Sequence, residues 1–402
     1  MSFQRLEFVP ERDSELFILV PASAAVFVLR GDNRSEPYVS KTSNLHRRLH
    51  RLLALSEGTG RRLNLRDRVR WVEWSDVGSD FEASFLLYKS LRREFPRTYE
   101  RRLRLRFAPL VKLILDNPYP RATVTNRISR AGGTTRYFGP FATRVAAEKF
   151  ANDSLDFFKM RRCVDDLHPD PQFPGCIYSE MKMCLAPCFK GCTDQEYATE
   201  VDRVQRYFAS GGQSLVQEIG QMRDEASAKL DFENAAALHA RLEKVKATIS
   251  QLPEIVRPLE DLNGLMVQPS AESQSVELFR IVAGQISDAV RLSVGSKGEA
   301  LYLQPKPQSM ESRIADALRT VAVPKRLGAM ERMEHLALLK RWYYRSVKVG
   351  ELFLADAQGE LPMRRVVRGV SRVFRGEKPA GDLSETAGDY WRFRAGEAGL
   401  QR

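Results

Sequence analysis

The sequence predicts a mixed α/β chain of several units: an α/β N-terminal domain, a cysteine-rich loop region, a helical hairpin and a small α+β C-terminal region. Three observations lead there. Apolar runs and amphipathic stretches follow one another over residues 15–105 in the order strand, strand, helix, strand, helix. All five cysteines fall between residues 163 and 192. Residues 195–250 contain no proline and carry apolar side chains at helical spacing.

In the first unit, AAVFVL within residues 16–30 reads as a strand and EPYVS, 36–40, as a second, with GDNRS as the turn between them. Asn44 is placed to cap a helix through HRRLHRLLAL. RVRWVEWSDV alternates as a third strand, and residues 80–95 form an amphipathic helix with Asp80 near its start. A region from 106 to 195 follows. In it, ATVTNRISRAGGTTRYFGPF reads as a hairpin turning at Gly132-Gly133, TRVAAEKFANDSLDFFKM as a helix, and the cysteine loop comes last. Residues 196–255 read as helices broken at 210–212, the clearest pair hinged at Asp231. The small α+β region, 256–373, has strand-like segments from 262 to 304 and a helical stretch over 309–348. A basic tail, 374–402, has the composition of a flexible segment.

The chain has 402 residues, a formal net charge of +12 and a pI of about 9.5. Such a surplus suits a polyanionic partner. No apolar run approaches the roughly 20 residues that span a bilayer, and the charged N-terminus lacks the apolar core of a signal peptide. The expectation is a cytosolic chain with no membrane partner. Positive charge crowds into residues 46–70 and 92–106. One basic run is ordinarily a solvated helix face. Two in one unit, dominated by arginine, point to a phosphate backbone, because the guanidinium forks onto phosphate oxygens. The candidate DNA contacts are Arg47, Arg48, Arg51, Arg61, Arg62, Arg92, Arg93, Arg101 and Arg102.

Cys163, Cys176, Cys184 and Cys188 are spaced C-x12-C-x7-C-x3-C, with Cys192 four residues later. Four soft thiolates from one loop can fill a zinc site or hold an iron–sulfur cluster. The lack of paired C-x2-C knuckles favours the cluster, and a set of small buried thiols is the plain alternative. His168, beside Pro169, reads as a turn residue and Cys192 as a spare thiol.

These features, in their order, resemble the N-terminal half of the UvrC excinuclease family, the incision component of bacterial nucleotide excision repair, over residues 15–255. VPASAAVF, 20–27, looks like the first motif of its GIY-YIG nuclease domain, and YVSKTSNLHRRL like the second. RYFGPF, 136–141, and CIYSEMKMCLAPC match the segments around the family's cysteine cluster. KLDFENAAALHARLEKV, 229–245, is similar to the UVR motif, a helical hairpin that pairs with the corresponding hairpin of UvrB. Residues 262–350 share a weaker likeness to the start of the family's C-terminal half, without its Asp-Asp-His set.

The resemblance implies specific roles. Tyr38 would assist proton transfer from the attacking water, Lys41 and Arg48 would fix the scissile phosphate, and a later glutamate would hold one Mg²⁺ or Mn²⁺. It implies an iron–sulfur cluster, or zinc, on Cys163, Cys176, Cys184 and Cys188. The partners implied are DNA and a UvrB-like protein, the latter contacted through Phe232, Ala235, Ala236, Leu238, Leu242 and Val245.

The catalytic motifs depart from the family. Ala25 and Phe27 replace the glycine and tyrosine of the first motif, Ser40 the glycine of the second, and Tyr88 the metal-binding glutamate. Residues 81, 84, 85, 91, 92 and 95, one or two turns from Tyr88, include no acid, so Tyr88 reads as part of an apolar stripe. A phenol is a poor ligand for a hard cation that prefers carboxylate oxygen. The leading expectation is therefore a DNA-binding repair protein with a degenerate nuclease site. An active single-incision endonuclease that recruits Glu100 is one alternative; a redox-responsive interaction module built on the cysteines is another. The cluster Arg341, Trp342, Tyr343, Tyr344 and Arg345 reads as a buried helix before it reads as a base-stacking surface.

Overall fold

The computed structural model describes residues 3–32, 35–55, 63–129, 134–295, 308–321 and 328–377. The chain opens with strand β1 (Gln4–Glu7) and helix α1 (Asp13–Leu19), followed by β2 (Ala25–Arg30), β3 (Tyr38–Thr42), α2 (Leu45–Leu53), β4 (Trp71–Asp76), α3 (Asp80–Glu94) and α4 (Tyr99–Leu103). The four strands form one antiparallel sheet in the order β1-β4-β2-β3. Strand β2 is buried on both faces, which is why it reads as an unbroken apolar run. Its alternate residues Ala25, Phe27 and Leu29 pack toward α1 and α2, while Val26 packs with Ala83 and Leu86 of α3. The expected strand and helix order is present. Edge strand β1 and helix α1 are additions; Pro21 closes the short run that contains α1.

The second region holds β5 (Leu110–Ile114), β6 (Arg121–Thr125), β7 (Arg136–Gly139), α5 (Arg144–Leu155), the short α6 (Ile177–Glu180), and the long helices α7 (Asp194–Ala209), α8 (Gln213–Ala228) and α9 (Phe232–Ser250). Here the structure corrects the expected hairpin. Strands β6 and β7 do not pair with each other, because β5 lies between them and bonds to both. The tight turn joins β5 to β6 through Asp116–Pro120, where the Asn117 side chain accepts from the Tyr119 N–H at 2.9 Å. Gly132 and Gly133 lie outside the described residues. Strand β8 (Arg257–Pro258) returns after the helices to complete the order β6-β5-β7-β8.

The break between α7 and α8 follows from two glycines with positive φ, Gly211 and Gly212. A Cβ on Gly212 would also stand 2.3 Å from the Ile249 side chain. At the next turn Leu230 takes a left-handed conformation and Asp231 caps α9, accepting from the Asn234 N–H at 3.2 Å.

The third unit contains β9 (Gly264–Pro269), β10 (Ser275–Val282), β11 (Gln285–Ile286), β12 (Val290–Ser293), α10 (Met310–Thr320), α11 (Ala329–Tyr343), β13 (Glu351–Leu354) and α12 (Met363–Phe374). Its sheet runs β11-β10-β9-β13, with β12 also on β10. Leu265, Val267 and Leu278 face α10 and α12, whereas Met266, Phe279 and Ile281 face α3 and α11. Helix α3 is therefore covered on one side by its own sheet and on the other by this third unit. The basic tail beyond residue 377 lies outside the described residues. Among those residues no helix is long and apolar enough to cross a membrane.

Candidate nucleic-acid interface and nuclease-like site

Tyr38 stands at the start of β3 and Arg48 one turn into α2. Helix α2 begins at Asn44, whose side chain accepts from the Arg47 N–H at 2.8 Å. That cap orients Arg48 so that its Nη2 donates to the Tyr38 hydroxyl at 2.8 Å. The Arg48 Nε is buried and has no hydrogen-bond partner. Lys41, three residues along β3, lies on the other side of the strand, as the period of two requires. Its Nζ donates to Asp80 at 2.5 Å and to the Ser84 hydroxyl at 2.9 Å. The second Asp80 oxygen accepts from Arg345 at 2.5 Å. Burial opposes the charge on Asp80, but Lys41 and Arg345 outweigh it and hold its pKa below the ordinary value. Tyr38 and Arg48 are thus joined in one pair, and Lys41 is engaged in another.

Tyr88 is 1% exposed. Its hydroxyl donates to Glu334 of α11 at 2.8 Å and accepts from Arg92 at 3.0 Å. The Tyr99 hydroxyl donates to the other Glu334 oxygen at 2.5 Å. Burial and the Glu334 acceptor push the pKa of both phenols up, so both remain neutral donors. The apolar-stripe reading of Tyr88 agrees with this placement. Sequence reasoning missed Glu334, which lies 246 residues away in the chain; no local spacing could signal it. Glu100 is exposed on α4, and among the described residues no hydrogen bond or ion pair joins its carboxylate to Tyr38, Lys41 or Arg48. Among the described residues no group of three or more His, Cys, Asp or Glu side chains is arranged to hold a metal ion.

The proposed arginine contacts divide. Arg47 and Arg51 are exposed along one face of α2, and Arg101 is exposed on α4. Arg102 lies over the Phe95 ring at 3.8 Å and pairs with Glu36. Arg93 pairs with Glu94 and stands over Phe3. Arg92 pairs with Glu331 of α11 and donates to the Tyr88 hydroxyl, while its side chain stays partly exposed. Arg61 and Arg62 lie outside the described residues. In the basic-aromatic cluster, Trp342 is buried with its Nε1 donating to Val349 O at 3.0 Å, and the Tyr344 hydroxyl donates to Pro140 O at 2.9 Å. Both are structural contacts, as the buried-helix reading expects.

All five cysteines are half-buried and none forms a disulfide. Burial, and after it the nearby Cys163, Cys188 and Cys176, push the Cys184 thiol up to about 11. The four thiols therefore stand within electrostatic reach of one another. N–H groups already face two of the sulfurs: Arg161 donates to Cys163 at 3.4 Å and Ala186 N to Cys184 at 3.3 Å. The donor chemistry suits a thiolate-bound zinc or iron–sulfur group, although the thiols are not drawn into a ligating arrangement.

Helices α8 and α9 form the expected antiparallel hairpin. The six residues assigned to a partner do not share one surface. Leu238, Leu242 and Val245 are buried in the chain's own core, and Ala235 is half-buried against it. An amphipathic helix first buries its stripe on the neighbour the chain supplies. Phe232 and Ala236 remain exposed, and Phe232, 64% exposed, is joined at the turn by the exposed Leu230.

Residues 109–207 match the family described as UvrC/Cho excinuclease, middle domain. A UvrABC system protein C from Lactobacillus helveticus is 28% identical over 58% of this chain and 37% of its own length. That of Ruminiclostridium cellulolyticum is 24% identical over 66% of this chain and 44% of its length. That of Rickettsia canadensis is 27% identical over 58% of this chain and 37% of its length. The chain thus spans less than half the length of these curated relatives. No solved structure matches. Together these findings support a UvrC-family N-terminal half in this chain.

Proposed function

We propose that this chain, built on a UvrC-family N-terminal half, is a DNA-binding protein of nucleotide excision repair whose nuclease-like site holds phosphate without cutting it. The observation that carries the reading is Tyr88. The resemblance sets it where the family has its metal-binding glutamate, and here it is buried with its hydroxyl donated to Glu334. Metal-assisted hydrolysis needs an open coordination position beside a hard ligand, and Tyr88 offers neither. The exposed Arg47, Arg51 and Arg101 are suited to phosphate oxygens. Arg48, on the same helix as Arg47 and Arg51, is held by its bond to the Tyr38 hydroxyl.

In the same reading Cys163, Cys176, Cys184 and Cys188 hold a cluster or zinc ion, which would supply a rigid crosslink to a loop poor in regular structure. The exposed tip of the α8–α9 hairpin, with Phe232 and Leu230, would dock on a UvrB-like protein. What supports this is an apolar patch at the end of a hairpin of the UVR type.

Duplex binding across a salt series, combined with a nicking assay in Mg²⁺ or Mn²⁺ with and without UvrA and UvrB, tests the proposal. The expected result is binding that weakens with salt, at a log–log slope of about −0.9 per phosphate contacted, and no nick. A metal-dependent nick lost in Tyr38→Phe would replace this reading with the single-incision endonuclease. Salt-insensitive or absent binding would remove DNA from the function.

A further inference from the structure

Helix α3 turns Phe81, Phe85 and Tyr88 toward the third unit and away from solvent. The rings of Phe81 and Phe85 meet Phe279 of β10 edge to face, at centroid distances of 5.1 and 6.0 Å. Tyr88 meets His335 of α11 in the same way at 5.6 Å. His335 is itself fixed, its Nδ1 accepting from the Ile286 N–H at 3.0 Å. Glu334 is fully buried, and its two oxygens each take a tyrosine hydroxyl, one from α3 and one from α4. Ion pairs ring this contact: Arg92 with Glu331, Lys89 with Asp288, and Asp80 with Arg345. A carboxylate is therefore present next to position 88, but it belongs to the opposing helix and both its oxygens are occupied.

We propose that Tyr88, with Tyr99 and Glu334, is an interdomain anchor, and that the third unit is a built-in cap fixed on the α3 face whose residue 88 the resemblance matches to a metal carboxylate. This deepens the reading of a silent site and rests on the placement of Tyr88 at the metal-carboxylate position; it does not rest on DNA binding. The chemistry has a definite consequence. Two tyrosine O–H donors and one carboxylate acceptor satisfy one another in a buried place. Reintroducing a glutamate at 88 sets two carboxylates against each other there and leaves Glu334 short of a donor, so it loosens the cap instead of rebuilding a metal site.

The test uses the full chain and compares wild type, Tyr88→Phe, Tyr88→Glu and the double variant Tyr88→Glu/Glu334→Gln. It reads amide hydrogen exchange in α3 and α11, the thermal unfolding profile, and nicking with Mn²⁺. Tyr88→Phe removes one donor from buried Glu334 and should speed exchange in α11 by about tenfold. Tyr88→Glu should speed it further, broaden or split the melt, and leave nicking absent. Adding Glu334→Gln should recover part of the protection, because one of the two facing charges is gone. Wild-type protection of α11 in Tyr88→Glu, or a Mn²⁺-dependent nick by that variant, overturns the cap. Should Tyr88→Glu not accumulate as folded protein, unchanged α11 exchange in Tyr88→Phe overturns it equally. A wild type that fails to bind DNA removes the proposed function while these exchange results still decide the cap.

Discussion

The Lys41 ammonium donates to Asp80 at 2.5 Å, and Asp80 is held from its other side by Arg345. The side chain suited to grip a phosphate is thus neutralised by a residue at the start of α3. Asp80→Asn should tighten duplex binding by about twofold to fivefold, since a partly exposed pair is worth roughly 0.2–1 kcal/mol. The gain should shrink when Lys41→Ala is added, leaving only the part that comes from the released Arg345. Fluorescence anisotropy on the four members of this cycle checks it. A gain of equal size in the Lys41→Ala background would assign the effect to overall charge.

Glu82 makes stability depend on pH. It is buried at the start of α3, and its carboxylate accepts from the Gly78 N–H at 2.8 Å. Burial pushes its pKa up to about 7; the Gly78 bond lowers it, nearby Glu277 raises it, and Arg291 lowers it. A raised folded-state pKa means that its contribution is full below the ordinary value and is lost as pH rises through about 7. His335 has the opposite sign: burial lowers its pKa to about 4, so its contribution is lost as pH falls from the ordinary histidine range toward that value. Urea unfolding of wild type and Glu82→Gln at pH 5 and pH 8 isolates the glutamate. The variant should gain on wild type by on the order of 2–3 kcal/mol as pH rises. A pH-independent difference would show that Glu82 does not titrate in this window.

The hairpin separates folding from docking. Leu242 is 3% exposed, so Leu242→Asp should cost more than about 4 kcal/mol or prevent folding. Phe232→Ser, at an exposed tip, should leave stability within about 0.5 kcal/mol. It should nevertheless weaken association with a UvrB-like partner by about tenfold or more, as loss of an aromatic anchor does. Denaturant curves and a pull-down titration distinguish the two. Undiminished association in Phe232→Ser would place any docking elsewhere.

Anaerobic purification with iron, sulfide and zinc analysis addresses the cysteine loop. Cys184→Ala should abolish the bound metal. Cys192→Ala should retain it, since the resemblance leaves that thiol, at the entry to α7, outside the four-cysteine set. A folded, metal-free wild type would reduce the four cysteines to packing residues.

Much of this molecule is written in local signals. The Asn44 cap, the break at 210–212, the hinge at Asp231 and strand β2 were legible because each depends on residues within a few positions of itself. The packing of Tyr88 among apolar residues of α3 was also legible, since one helical face can be read by spacing alone. Tertiary structure decided the rest. Strand β5 displaced the expected hairpin because strand partners are chosen by long-range pairing, which no window of sequence contains. Arg92 took Glu331 as a partner, and Leu238, Leu242 and Val245 went into the chain's own core, because a charge or an apolar stripe takes whichever partner folding brings to it. The acceptor that completes Tyr88 came from a helix near the far end of the described chain. A buried hydroxyl must find a partner, and only the packed fold determines which one.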